Sequence, residues 1–317
     1  MLAQVGSFVL GVVLLLLGAD SFVRGVGGLA LRTGLGGYAV GLVSTALGGL
    51  VPALAVTLAA GYAHQPDLAL GNLVGGSIGQ LGLVLGICAL AAPLRARLKV
   101  FAYVNPALIA AAVLFWILSL DARLGAVDGV ILIVAYLVVV VLVVRAARDE
   151  GADVRNELAT ATGTAMLVWR DALRVVVGVV ILPFAAVWLV DGAIAFAAAC
   201  QVSPLVTGLT LLGAATAVAS VPPTWIAARR RQGDFAIGHA FGAVIGSLLL
   251  LAGGLALSQT VGASRSLQHI EIPWLIVLAV AIYPMMRSDG ELSRREGVIL
   301  VVAYVAFLAG EAWLTHG

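Results

Sequence analysis

The sequence predicts an all-α integral membrane protein with ten transmembrane helices, arranged as two inverted five-helix repeats. Three observations predict this fold: the composition, the length of the apolar segments and the similarity of the two halves. The chain has 317 residues, of which 62% are hydrophobic and 11% charged, and its mean hydropathy is +1.11. A water-soluble protein of this length carries more charge, so we expect membrane lipid to be the main solvent and partner.

Ten apolar segments have about the 20 residues needed to cross roughly 30 Å of hydrocarbon. They lie near residues 5–30, 37–62, 68–93, 100–120, 124–146, 172–199, 204–228, 235–259, 271–287 and 296–315. The first segment lacks a basic start and is too long for a cleavable signal peptide, so we expect it to remain as a helix.

The basic residues predict the orientation in the membrane. If the N-terminus is outside, 16 of the 18 Lys and Arg residues fall in inside loops, and only Arg123 and Arg265 fall outside. The positive-inside rule therefore predicts a protein of the cytoplasmic (inner) membrane with both termini outside. Because the basic residues are dispersed among short loops, nucleic acid is not an expected partner.

The two halves repeat one pattern. A shift of 167 residues aligns two rows of glycines: Gly71, Gly75, Gly79, Gly238, Gly242 and Gly246. A shift of 168 residues aligns 128–136 with 296–304. We therefore divide the chain into a first repeat (1–146), a cytoplasmic linker (147–171) and a second repeat (172–317).

An odd number of helices in each repeat inverts the second repeat relative to the first. This arrangement is common in secondary transporters, whose site lies near the bilayer midplane between the repeats. The second, third, seventh and eighth helices match best between the halves, so we expect them to build the site. Their glycine rows allow a neighbouring backbone to approach closely.

Segments of both halves resemble the two α-repeats of the sodium/calcium exchanger family, within the calcium:cation antiporter superfamily. The similarity is carried by residues 14–25, 41–58, 66–86, 188–193, 208–220 and 233–251. Each family repeat reads approximately G-L-T-x-x-A-x-G-T-S-x-P-E-L, followed by G-N-x-x-G-S-N-x-x-N. In that family the glutamates and nearby oxygens bind Ca²⁺ and Na⁺ alternately. The resemblance implies a secondary transporter that moves a cation or small solute by alternating access.

The family's carboxylates are missing from this chain. The two glutamates align with Ala53 and Ser220, and the first Thr-Ser pair aligns with Gly49 and Leu50. Because Ca²⁺ takes six to eight oxygens that typically include carboxylates, we do not expect calcium exchange. A bound monovalent cation, Na⁺ or H⁺, is compatible with neutral oxygens, and a proton-coupled or neutral solute also remains open.

The polar residues left in the repeat core are the candidates for lining an ion or substrate pocket. They are Thr45, Asn72, Ser77, Gln80, Thr210, Thr216, Ser220, His239 and Ser247. Each hydroxyl has an alternative role, which is to donate to a carbonyl of its own helix. His239 aligns with Asn72 and has two interpretations: a proton-coupling group, or a structural residue bonded to a neighbouring helix. Glu311 either reaches the outer interface or is a true intramembrane acid.

Two other function classes remain open on the sequence. Loss of the ion ligands is also typical of a non-transporting sensor or partner subunit. The segment GGSIG (75–79) fits the G-x-S-x-G pattern of a hydrolase with Ser77 as nucleophile. However, the second repeat keeps these glycines without the serine, and no His and acid partners suggest themselves. We therefore predict no enzyme and no cofactor, and we leave the oligomeric state open.

Overall fold

The computed structural model describes residues 2–30, 37–95, 98–148 and 168–316. These residues form ten long helices: α1 (Leu2–Ala30), α2 (Gly37–Tyr62), α3 (Pro66–Ala91), α4 (Leu98–Ser119), α5 (Ala126–Arg148), α6 (Val168–Cys200), α7 (Pro204–Arg229), α8 (Gly233–Ser258), α9 (267–289) and α10 (Arg294–His316). Nine of them are long and apolar enough over described residues to cross a membrane, and α2 adds the apolar segment Gly49–Tyr62. The predicted all-helical fold is confirmed. Most of the predicted linker 147–171 lies outside the described residues.

The start of α9 differs from the prediction. The sequence places the ninth span at 271–287, whereas the helix begins four residues earlier with a π-helical turn, Leu267–Glu271. The wider turn continues without a break into Ile272–Asp289. Because this turn carries polar residues, hydropathy alone does not show it, and Glu271 lies one turn inside the helix instead of at its first residue.

The centre of the molecule is formed by α3 and α8. In the most apolar stretch of each helix, 83% of the residues are buried in α3 and 78% in α8, whereas 11% are buried in α5 and 22% in α1. A helix that is apolar on all sides and buried belongs to the core, whereas one with exposed apolar side chains faces lipid. The helices that match best between the repeats are therefore among those that the fold surrounds with protein.

Two short strand pairs show that the repeats are inverted relative to each other. Strand β1 (Leu94–Arg95) pairs with β4 (Glu291–Leu292), and β2 (Arg123–Leu124) pairs with β3 (Val261–Gly262), both antiparallel. The repeat shift relates β1 to β3 and β2 to β4. Because β1 and β2 lie at opposite ends of α4, equivalent strands lie on opposite faces of the molecule. This placement is what an inverted repeat requires.

The first glycine row touches the backbone of α7. A Cβ atom added at Gly71 would lie 2.3 Å from the carbonyl oxygen of Leu205, and one at Gly75 would lie 2.0 Å from that of Leu209. In the second repeat, nothing among the described residues lies within 4 Å of a Cβ added at Gly238. Within the described part of the chain, the close helix approach expected from both rows is therefore seen at Gly71 but not at Gly238.

Candidate cation site

Asn72 joins the two halves at the centre of the fold. It is fully buried in α3, and its Oδ1 accepts a hydrogen bond from Thr216 Oγ1 of α7 at 3.2 Å. Its Nδ2 donates to Thr57 Oγ1 at 3.3 Å and to the carbonyl oxygen of Ala53 at 3.5 Å. Ala53 aligns with the first family glutamate, so an uncharged amide contacts this position.

A second amide reaches the position of the other family glutamate. Gln80 Nε2 donates to Ser220 Oγ at 2.7 Å, and this bond also crosses between the repeats. Ser220 Oγ in turn lies 3.4 Å from the carbonyl oxygen of Thr216. Gln80 Oε1 is buried and has no hydrogen-bond partner among the described residues. The second position thus pairs an amide with a hydroxyl and leaves one acceptor oxygen unsatisfied.

His239 is the most incompletely bonded of the candidate residues. Its side chain is fully buried, and neither ring nitrogen has a hydrogen-bond partner among the described residues. The ring stacks on Phe235 at a centroid distance of 6.0 Å. A Cβ added at Gly49 would lie 3.3 Å from Nε2. The missing side chain at Gly49, where the family has threonine, therefore leaves space for the imidazole.

A structural role for His239 requires a hydrogen bond to a neighbouring helix. No such bond is formed among the described residues. An unsatisfied buried polar group costs about 1–3 kcal/mol. Such groups are rare in folded proteins, and each one points to strain, to a function or to a bound species. Among the described residues, both imidazole nitrogens are therefore left without a partner.

Four candidate hydroxyls contact a carbonyl oxygen of their own helix, since Thr216 Oγ1 also lies 3.1 Å from those of Leu212 and Gly213, and Ser220 has the contact already described. Ser77 Oγ donates to the carbonyl oxygen of Leu73 at 2.6 Å, and Thr210 Oγ1 donates to that of Val206 at 2.7 Å. No hydrogen bond joins Ser77 to a histidine or an acid in the described part of the chain, so the geometry gives Ser77 no activating base. The hydroxyl oxygens keep lone pairs, but their donors are used.

Two π-helical turns lie at equivalent places in α3 and α8. One spans Gln80–Val84 and the other spans Gly246–Leu251, and the repeat shift superposes Gln80 on Ser247. Ser247 is buried, at 5% exposure. Turns of this kind occur frequently at functional sites, because they free backbone groups and re-aim side chains. Thr45 lies in α2, but its side chain lies outside the described residues.

Two buried acids, Glu271 and Asp171, are not among the residues singled out from the sequence, and Asp171 is 1% exposed. Glu271, in the first turn of α9, is 0% exposed, and Glu311 of α10 is 2% exposed and interacts with it. Ser266 also donates to Glu271. Glu311 is thus a buried acid, as one of its two interpretations states. Glu271 is the first residue of the predicted ninth span, so treating the acid at that end as a candidate would have found it.

The four helices of the central hairpins carry few acids. In α2, α3, α7 and α8 the acidic residues are Asp67 and Asp234, both in the first turn of their helix. The buried groups joined across the repeats are instead amides and hydroxyls. Neutral oxygens can replace part of the hydration shell of a monovalent ion, but a dication without carboxylates is poorly compensated at low dielectric.

Comparison with known proteins agrees with this architecture. The family model for the sodium/calcium exchanger protein matches residues 3–145 and again residues 171–313. The chain is 26% identical over 326 residues to the inner membrane protein YrbG of Escherichia coli K12, covering 99% of this chain and 98% of that protein. It is 24% identical over 334 residues to the sodium/calcium exchanger MaX1 of Methanosarcina acetivorans, covering 94% and 95%.

A solved structure has the same fold. The structure of the sodium-calcium exchanger NCX_Mj, soaked with Na⁺ and Sr²⁺, superposes with a TM-score of 0.69 at 24% identity, covering 96% of this chain and 97% of that chain. Both halves of the chain match the family model, and the fold matches over nearly the full length. The chain belongs to the sodium/calcium exchanger family and is a multi-pass membrane transporter.

Proposed function

We propose that the chain exchanges a monovalent cation, Na⁺ in the first instance, for a proton by alternating access. The cation site comprises the oxygens of Asn72, Gln80, Thr216 and Ser220. His239 carries the counter-transported proton. The observation that carries the proposal is the pair of uncharged bridges between the repeats, Asn72 with Thr216 and Gln80 with Ser220.

The charge of the site favours a monovalent ion. Each bridge pairs one side-chain amide with one hydroxyl group, and Gln80 Oε1 has no donor among the described residues. An acceptor oxygen without a donor is stabilised by a cation, and a single charge needs less compensation than two. The relative MaX1 is named a sodium/calcium exchanger. Of the two ions in that name, only sodium suits a site of neutral oxygens.

The imidazole supplies the coupling. Histidine is the side chain whose ordinary protonation change lies nearest neutral pH, and buried ionisable groups in transporters often serve as proton relays. The proposal requires the bound cation to lie close to His239, where a protonated imidazole would repel it, since like charges at low dielectric repel strongly. The two cations therefore bind alternately, which is the requirement for antiport.

The test is Na⁺ uptake driven by a pH gradient in proteoliposomes of the full chain. We expect wild-type protein to accumulate ²²Na⁺ when the lumen is acidic. The variant His239→Asn, which places in the second repeat the residue found at Asn72, should keep Na⁺/Na⁺ counterflow and lose the response to the pH gradient. The matched control is His64→Asn, because His64 is exposed at a left-handed turn (φ 55°) where Asn is well tolerated.

Two results would contradict the proposal. Wild-type protein without any cation flux would favour a sensor or partner subunit of the same fold. A His239→Asn variant that still accumulates Na⁺ under a pH gradient would remove histidine from the coupling mechanism.

A further inference from the structure

A cavity of about 360 Å³ opens at the face where β1 pairs with β4. It is lined by Ala92, Pro93, Arg95, Arg231, Glu291 and Arg294. The three arginines come from three different connections: α3 to α4, α7 to α8, and α9 to α10. The distribution of basic residues predicts that this face is cytoplasmic.

The charges of the cavity are unbalanced. Arg95 Nε bonds Glu291 Oε2 at 2.7 Å, which uses the one acid in the lining. No ion pair joins Arg231 or Arg294 to an acid among the described residues. The start of α8 lies beside this loop, since a Cβ added at Gly233 would be 2.1 Å from the carbonyl oxygen of Arg95, and Asp234 in the same turn offsets part of the positive charge of the helix end. The N-terminal end of a long helix carries a partial positive charge.

The repeat provides an internal comparison for these arginines. The equivalent loops on the opposite face have the same strand pairing and a left-handed residue at the same turn, Arg231 (φ 59°) matching His64 (φ 55°). In those loops, Gly262 occupies the position equivalent to Arg95, and Ala126 occupies the position equivalent to Arg294. The fold of the loops therefore does not need the arginines. The positive-inside rule explains why they lie on this face but not why they meet around one cavity.

We propose that this cavity binds a phosphate-bearing anion, supplied by the headgroup of an anionic lipid. Guanidinium groups bind phosphate oxygens in a bidentate geometry, and basic pockets at the cytoplasmic ends of membrane helices suit lipid headgroups. Because the cavity joins loops from both repeats, the bound anion ties the first repeat to the second at one face. This role is independent of the ion carried at the central site.

The experiment measures phosphatidylglycerol binding to the full chain in detergent by native mass spectrometry, with phosphatidylcholine as the neutral lipid. The cavity variant is the double substitution Arg231→Gln with Arg294→Gln. The matched control is Arg229→Gln with Arg295→Gln, which removes the same charge from exposed neighbours on the same face that do not line the cavity. All four side chains are exposed, so both variants should fold.

We expect the cavity variant to bind phosphatidylglycerol roughly 30-fold more weakly than wild type, and the control less than about threefold more weakly. Inorganic phosphate is the second probe: competition with the lipid by phosphate, lost in the cavity variant, supports the same site with a soluble anion as its source. Equal losses in the two variants would show attraction by diffuse surface charge and overturn the proposal. Wild-type protein that binds neither phosphate nor phosphatidylglycerol in preference to phosphatidylcholine would also overturn it.

Discussion

Gly71→Ala should strongly destabilise the protein, whereas Gly238→Ala, the same substitution at the repeat-related position, should be tolerated. The added Cβ at residue 71 would lie 2.3 Å from the carbonyl oxygen of Leu205 and 3.0 Å from the Cα atom of Gly208. Both neighbours are backbone atoms that cannot rotate away. Overpacking of this kind costs about 1–3 kcal/mol or more, because α3 and α7 must separate.

The thermal unfolding midpoint of the purified protein in detergent, with the monodisperse fraction, measures this difference. At Gly238 an added methyl group meets no described residue within 4 Å, and alanine has the higher helix propensity by about 1 kcal/mol. We therefore expect the Gly238→Ala midpoint to equal or exceed that of wild type. If the two substitutions lowered the unfolding midpoint equally, the inferred difference in packing between Gly71 and Gly238 would be wrong.

Asn72→Ala should abolish cation transport, whereas Asn105→Ala should not. Both asparagines are fully buried, and both bond across the repeats, since Asn105 Nδ2 donates to the carbonyl oxygen of Ala279 at 3.2 Å. Each substitution leaves a former partner unsatisfied, so we expect comparable losses of stability of about 1–3 kcal/mol. Of these two asparagines, only Asn72 supplies an oxygen to the proposed cation site.

Rates of ²²Na⁺ counterflow, normalised to the folded protein in the liposome membrane, separate the functional role from the structural one. Asn105→Ala should retain counterflow close to the wild-type rate. If both variants lose transport in proportion to their loss of stability, Asn72 is a packing residue and the site lies elsewhere.

The sequence predicts the fold well because the bilayer restricts the choices. A chain in lipid must bond its own backbone, so long apolar segments become helices, and the odd number of helices in each repeat determines the inversion. Helix ends are less well determined. The polar turn of α9 at Gln268 and His269 hides four residues of helix from a hydropathy reading.

The bonds of the candidate residues were less predictable than their places in the repeats. The structure bonds Asn72 to Thr216 and Gln80 to Ser220, and the role of these four residues as ion ligands stays a prediction. The sequence could not show that Ser77 and Thr210 bond their own helices, because that choice depends on side-chain rotation. It also could not distinguish the glycine rows, since the same spacing meets the α7 backbone at Gly71 and no described residue at Gly238.

Glu271 was missed for a physical reason. Its carboxyl group begins the predicted ninth span, where an acid is ordinarily solvated, but the extra turn of α9 and the neighbouring α10 cover it completely. The acid lies in the first turn of α9 and interacts with Glu311, and neither belongs to the four helices of the central hairpins. Beyond Asp67 and Asp234 in the first turns of α3 and α8, the four helices of the central hairpins carry no acid.

Equilibrium binding of ⁴⁵Ca²⁺ to the purified chain tests most directly whether the central site lacks carboxylate ligands. We predict no saturable calcium binding that Asn72→Ala removes, because amides and hydroxyls alone do not offset the lost hydration of a dication. A saturable calcium site abolished by Asn72→Ala and unaffected by Asn105→Ala would contradict the account.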